Sequence, residues 1–133
     1  MSITRENYWP IDFGVDAEIT PLTVLKEQAA LLGEMTKNLV EGVVQTRPDD
    51  KAQFRHSLYL SVPTLANYRY FLLSVTEEPR GYPVRIFDGT TDTSFEAHDL
   101  DGFRERLKDI LSSDRVRKLV GNLLRYASTG YKF

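Results

Sequence analysis

Two histidines, His56 and His98, are the side chains of this sequence that could exchange protons near neutral pH. His56 lies in an alternating apolar segment, with Phe54 and Leu58 two positions away on either side, which favours a buried, neutral and hydrogen-bonded imidazole. A general base would also need a carboxylate to orient the ring and a nucleophile or water within reach. His98 precedes Asp99, a good helix N-cap, and this position favours a solvated imidazole.

A metal site would have to use histidine and carboxylate ligands, because the 133 residues include no cysteine. The same composition excludes thiol catalysis, CxxC redox chemistry and iron–sulfur ligation. His98 with Asp88, Asp92 or Asp99 offers acceptable ligands for zinc, manganese or magnesium, but their spacing matches no HExxH, HxH or EF-hand pattern. We therefore predict no metal ligands and no cofactor, and a metal-dependent hydrolase that uses His and Asp is kept as an alternative.

Sequence motifs of the large enzyme classes are missing from the chain. It contains no GxSxG, SxxK, Walker or GxGxxG pattern, and its eight glycines are scattered. Kinase, NTPase, dinucleotide-binding and serine-hydrolase functions are thereby disfavoured. The sequence favours a protein without catalytic residues.

The hydrophobic pattern predicts an α+β domain, in which a four-stranded antiparallel meander is accompanied by one N-terminal helix and two C-terminal helices. The first helix should begin at Thr20 and stop near Gly33, the second should be capped by Asp99, and the third should start at Ser113 or Asp114. The short connections between strands favour antiparallel pairing. The predicted strands are Asn38–Arg47, Phe54–Val62, Tyr68–Thr76 and Tyr82–Phe87, and Ser94–Ala97 fits either a short fifth strand or irregular structure.

Length and composition predict one domain over residues 1–133, with an irregular N-terminal arm at 1–19 and a short tail at 129–133. The arm carries Tyr8, Trp9, Ile11 and Phe13 among acidic residues. No apolar run approaches the roughly 18 residues of a membrane span, and the first twenty residues lack a signal-peptide core. We expect a cytoplasmic protein without a membrane partner.

Strand alternation divides the predicted sheet into two apolar faces. The helices should cover one face, which carries Leu58, Leu60, Phe71, Leu73, Val84 and Ile86. The other face is assigned Arg55, Tyr59, Tyr70, Leu72, Arg85 and Phe87. Aromatic residues with arginine are typical of interface cores, so this second face is predicted to be an interface with a second copy or another protein. Two other interpretations are a lid formed by Trp9 and Phe13 and a stacking platform for single-stranded nucleic acid.

Charge is unevenly distributed along the chain. Residues 1–102 hold 9 basic and 16 acidic side chains, net −7, whereas residues 103–133 hold 8 basic and 3 acidic, net +5. The third helix carries Arg115, Arg117, Lys118 and Arg125 away from its apolar stripe. These cations form either a solvated helix face or a nucleic-acid-binding surface. Gly121 within the same helix indicates a close backbone contact.

Taken together, these patterns predict a homodimerising or macromolecular interaction module with no chemistry of its own. Self-association or another protein is the favoured partner, and nucleic acid bound by the third helix is the alternative.

Overall fold

The computed structural model describes residues 5–15 and 19–129, so the end of the predicted tail lies outside the described residues. One antiparallel sheet is combined with one N-terminal and two C-terminal helices, which confirms the predicted α+β class. In chain order the elements are α1 (Pro21–Met35), β1 (Glu41–Pro48), β2 (Phe54–Val62), β3 (Tyr68–Glu78), β4 (Gly81–Asp88), β5 (Thr93–Ala97), α2 (Leu100–Leu111) and α3 (Asp114–Thr129).

The start of α1 is determined by its cap. The Thr20 hydroxyl accepts a hydrogen bond from the Thr23 backbone N–H, and Pro21 occupies the first turn, where its missing N–H costs nothing. The helix continues past the predicted stop at Gly33 and ends at Met35. Lys37 and Asn38 then adopt positive φ angles in the turn that follows, so β1 starts at Glu41 instead of Asn38.

The sheet has five strands, not four, in the order β1-β2-β3-β4-β5. The fifth strand pairs with β4, with Ala97 opposite Val84 and Phe95 opposite Ile86. Ala97 at the end of β5 is buried among the core residues, so this short polar strand is anchored to the hydrophobic core. The carboxylate of Asp88 accepts hydrogen bonds from the backbone N–H and the hydroxyl of Thr90, closing the turn between β4 and β5.

A β-bulge in β3 changes which side chains share a face. Leu58 pairs with Leu73 and Tyr59 with Phe71, so Leu72 is an extra residue on β3. Its carbonyl accepts a hydrogen bond from the Gly89 N–H at 2.8 Å. Because one extra residue shifts the alternation, the predicted faces are wrong for three side chains. Phe71 lies on the face away from the helices, whereas Tyr70 and Leu72 lie on the helix side.

All three helices pack on one face of the sheet, where the hydrophobic core lies. The α1 helix packs along β1, while α2 packs beside β5, near the opposite edge. Asp99 caps α2 through the Gly102 N–H at 2.7 Å, as its sequence position predicts. Among the buried core side chains are five of those predicted to face the helices: Leu58, Leu60, Leu73, Val84 and Ile86.

None of the helices in the described ranges is long and apolar enough to cross a membrane.

Candidate functional site

Three aromatic side chains lie together on the sheet face away from the helices, which we call the open face. The Tyr59 and Phe71 rings meet edge to face, with centroids 5.7 Å apart, and Phe71 stacks against Phe87 at 6.1 Å. All three are half-buried. The β3 bulge brings Phe71 to this face, so the cluster contains a residue that sequence alternation placed elsewhere.

Arginines surround the aromatic cluster. Cross-strand register places Arg47, Arg55, Thr76, Arg85 and Glu96 in one row across the five strands. Arg55 and Arg85 are exposed, and within residues 5–15 and 19–129 their guanidinium groups make no salt bridge and no hydrogen bond. The Arg69 guanidinium lies 6.0 Å from the centre of the Tyr59 ring. Because Arg55 and Arg85 have no salt-bridge or hydrogen-bond partner among the described residues, both these cations and the neighbouring aromatic rings are available to a binding partner.

Two loops at the same end of the sheet extend the open face, and together with the strands they line a groove of 970 Å³. The β1–β2 loop contributes Asp49, whose carboxylate accepts hydrogen bonds from the backbone N–H groups of Lys51 and Gln53, each at 2.9 Å. The bond from Gln53 is the largest cause that lowers the pKa of Asp49 below its usual value of 3.8. The β3–β4 hairpin contributes the exposed ion pair between Glu78 and Arg80 at 2.8 Å.

The groove on the open face is lined by strand and loop residues, without a contribution from the helices or from the described part of the arm. Trp9 and Phe13, considered as lids from the sequence, are 74% and 67% exposed. Among the residues predicted for this face, Arg55, Tyr59, Arg85 and Phe87 are therefore brought together. Tyr70 and Leu72 lie on the helix side and cannot take part in the same surface.

His56 is 3% exposed and hydrogen-bonded, which confirms its predicted burial. Its Nε2 lies 2.7 Å from Oε1 of Glu77, and its Nδ1 lies 2.8 Å from the hydroxyl oxygen of Thr46. The carboxylate partner comes from β3, and the sequence pattern gave no signal for it because the register between β2 and β3 was unknown. Both ring nitrogens have partners within the protein, so neither is left for a substrate.

The polar residues considered from the sequence as possible metal ligands have other roles in the structure. Asp88 is 2% exposed, is bonded to Thr90, and lies 4.0 Å from the guanidinium of Arg115. His98 is exposed beside the α2 cap. Within the described ranges, no group of three or more His, Asp or Glu side chains is placed to hold a metal ion.

All four basic residues of α3 are exposed, and Arg117 lies apart from the other three. Arg115 is oriented toward Asp88 and Thr90, and Arg117 lines a groove between the helices. Lys118 lies one position further along the helix, about a quarter turn from Arg117. Arg125 donates a hydrogen bond to the side chain of Asn122. With about 100° of rotation per residue, Arg115, Lys118 and Arg125 lie within about 80° of one another around the helix axis, and only Arg117 is turned away toward the groove.

No protein-family model matches this chain, and neither a curated protein nor a solved structure was found that matches it. Function must therefore be inferred from the chemistry of the open face.

Proposed function

We propose that this protein is a non-enzymatic interaction module that self-associates through the open face. The observation that carries the proposal is the cluster of Tyr59, Phe71 and Phe87 on a sheet face that the helices leave uncovered. Apolar rings grouped on a surface lose contact with water when a second layer covers them, which favours association.

The residue types support a protein partner. Aromatic side chains bury a large area with few rotatable bonds, and arginine keeps a charged tip in the surrounding rim. On the open face the rings are central, and Arg55 and Arg85 lie next to them. Truncation of an aromatic hot spot in such an interface costs about 2 kcal/mol or more.

The charge balance of the groove favours a second copy of this chain over nucleic acid. Its lining contains four basic and four acidic side chains: Lys51, Arg55, Arg80 and Arg85, and Asp49, Asp50, Glu78 and Glu96. A surface with both signs can complement itself across a twofold axis. A phosphate backbone would meet four carboxylates in the same groove, which opposes its binding.

The test compares two faces of the same sheet. The double variant Tyr59→Ala and Phe87→Ala removes two rings of the open face, and Tyr70→Ala removes a half-buried tyrosine from the helix side as the matched control. We expect the wild type and the control to show a dimer mass in light scattering, and the double variant to show a monomer mass. Circular dichroism verifies that each variant is folded.

Two results would overturn the proposal. One is a wild type that is monomeric over the whole accessible concentration range. The other is a folded double variant that keeps the dimer mass. Binding of a single-stranded oligonucleotide that weakens steeply with salt, and that the double variant loses, would replace self-association by nucleic-acid recognition on this face.

A further inference from the structure

The helix side of the sheet carries a second groove, of 750 Å³, which is separate from the open face. It lies over residues of β2 and β3, between α1, which packs along β1, and the helices α2 and α3. Leu58, Leu60 and Leu72 form its floor. We call it the helix groove, and the inference drawn from it goes beyond the proposed function because it concerns the opposite side of the sheet.

The walls of the helix groove are apolar and incompletely covered. Leu31 and Met35 of α1 are 46% and 81% exposed, and Val120 and Leu124 of α3 are half-buried. Gly121 also lines the groove, and a Cβ added there would meet no atom within 4 Å. The close contact predicted at Gly121 is therefore not made within the described chain. The groove has room for additional apolar groups beside α3.

The N-terminal arm contains apolar side chains that lack a packing partner in the core. Trp9 and Phe13 contact each other, with ring centroids 6.2 Å apart, but both remain largely in solvent, and Ile11 is fully exposed. A sequence with this many exposed apolar residues gains free energy when it is removed from water. Within residues 5–15 and 19–129, the chain thus carries both an unfilled apolar groove and an exposed apolar segment.

We infer that the segment Tyr8–Phe13 of the arm, which the structure describes as exposed, docks into the helix groove of its own chain. Charge complementarity supports this occupant. The segment Tyr8–Phe13 contains one acidic side chain, Asp12, and no basic one, net −1. The groove is lined by the cations Arg104, Lys108 and Arg117 and by one acidic residue, Glu27, net +2. The segment therefore finds an apolar floor for its rings and a basic rim for the Asp12 carboxylate.

The connection to α1 is long enough for docking within one chain. Trp9 precedes Pro21 by twelve positions, which span up to about 40 Å when extended. The fifteen residues of α1 are only about 22 Å long. Gly14 has a φ of +68°, and its N–H donates to the Asp12 carboxylate at 2.7 Å. This turn allows the chain to reverse and to run back along α1, and the short connection favours the intramolecular contact.

Trp9 is the only tryptophan of the chain and reports directly on docking. The full-length protein is the sample, and fluorescence emission and acrylamide quenching are the measurements. Docking predicts a blue-shifted emission and a quenching constant several-fold lower than that of the same protein unfolded in urea. Trp9 emission and quenching equal to those of the unfolded chain would overturn the inference.

Two matched pairs of variants locate the contact. Gly121→Phe places a ring in the open space of the helix groove, and Gly121→Ala adds only a methyl group at the same position. We expect the first to expose Trp9 to quencher and the second to leave it protected. Arg117→Glu reverses a charge at the groove, and Lys118→Glu makes the same change at the neighbouring position outside the groove lining. Only the former should increase quenching, and the difference should shrink as salt is added.

The remaining outcomes separate this inference from its competitors. Trp9 protection that is independent of protein concentration supports docking within one chain, whereas protection that disappears on dilution shows exchange of arms between copies and overturns it. Protection that is lost in the Tyr59→Ala and Phe87→Ala double variant, but kept in Gly121→Phe, would place the arm on the open face and also overturns it. A monomeric wild type with protected Trp9 would refute self-association and leave arm docking intact.

Discussion

Gly42 on β1 lies directly beneath Ala29 on α1, so close that a Cβ built on the glycine would be 2.6 Å from the alanine Cβ and 2.7 Å from its Cα. Glycine at this position of β1 permits the close backbone approach, because it carries no Cβ. The contact fixes the distance at which α1 packs against the sheet. Since the nearest atoms include helix backbone, no rotamer change can make room for a side chain.

The variant Gly42→Ala is expected to destabilise the protein by about 1–3 kcal/mol, because α1 must move away from β1 to admit the methyl group. Urea unfolding monitored by circular dichroism measures the loss. A variant as stable as the wild type would show that α1 is not held at this distance.

The same glycine-to-alanine substitution in α3 should stabilise the protein instead of destabilising it. Gly121 lies inside the helix, and its Cβ position is open, so Gly121→Ala adds helix propensity without a clash. We expect the free energy of unfolding to rise by about 0.5–1 kcal/mol. The identical chemical change at Gly42 is the control, and a loss of stability at Gly121 would reveal a neighbour that the described residues do not supply.

The sequence predicts best where local signals act alone. The alternation from Phe54 to Val62 gives the bounds of β2 correctly, and Asp99 correctly locates the start of α2. It fails where a distant residue decides the outcome. The bulge at Leu72 is accompanied by a hydrogen bond from Gly89, seventeen positions away, and a strict period of two cannot include it.

The candidate site was predictable only in part for the same reason. Tyr59 and Phe87 lie on strands with regular alternation, and the period of two along each strand predicts that they share a face. Tyr70 and Phe71 precede the bulge residue Leu72 on β3. Each of them therefore lies on the face opposite to the one that regular alternation predicts. The pairing of His56 with Glu77 depends on the β2–β3 register, which adjacent residues do not encode.

Acid should weaken the β1–β2 loop through Asp49. The pKa of its carboxyl is lowered in the folded protein, chiefly by the hydrogen bond from the Gln53 backbone. A lowered native pKa gives stability that is present above the unfolded value and lost as the pH falls through the native one. Urea unfolding at several pH values from about 5 to about 2 should therefore show a smaller acid-induced loss for Asp49→Ala than for the wild type. The control is Asp50→Ala, next in sequence, and equal pH slopes for both variants would contradict this assignment.

The His56 and Glu77 pair should contribute to stability through hydrogen bonding. An ionised carboxylate can only accept, so Nε2 of His56 carries the proton toward Glu77, and a neutral ring accepts at Nδ1 from the Thr46 hydroxyl. Glu77→Ala leaves a buried N–H without its acceptor, which costs about 1–3 kcal/mol.

The variant Glu77→Gln distinguishes hydrogen bonding from mere packing at this position. Its amide oxygen can still accept from Nε2 of His56, so it should retain much of the stability that alanine loses. Thr46→Val removes the partner on the opposite side of the ring and should also destabilise the fold, because Nδ1 of a 3% exposed histidine loses its donor. The readout for all three is the free energy of unfolding from urea titrations at neutral pH. If glutamine and alanine at position 77 are equally destabilising, an acceptor oxygen alone does not hold the buried imidazole, and the negative charge of Glu77 is required as well.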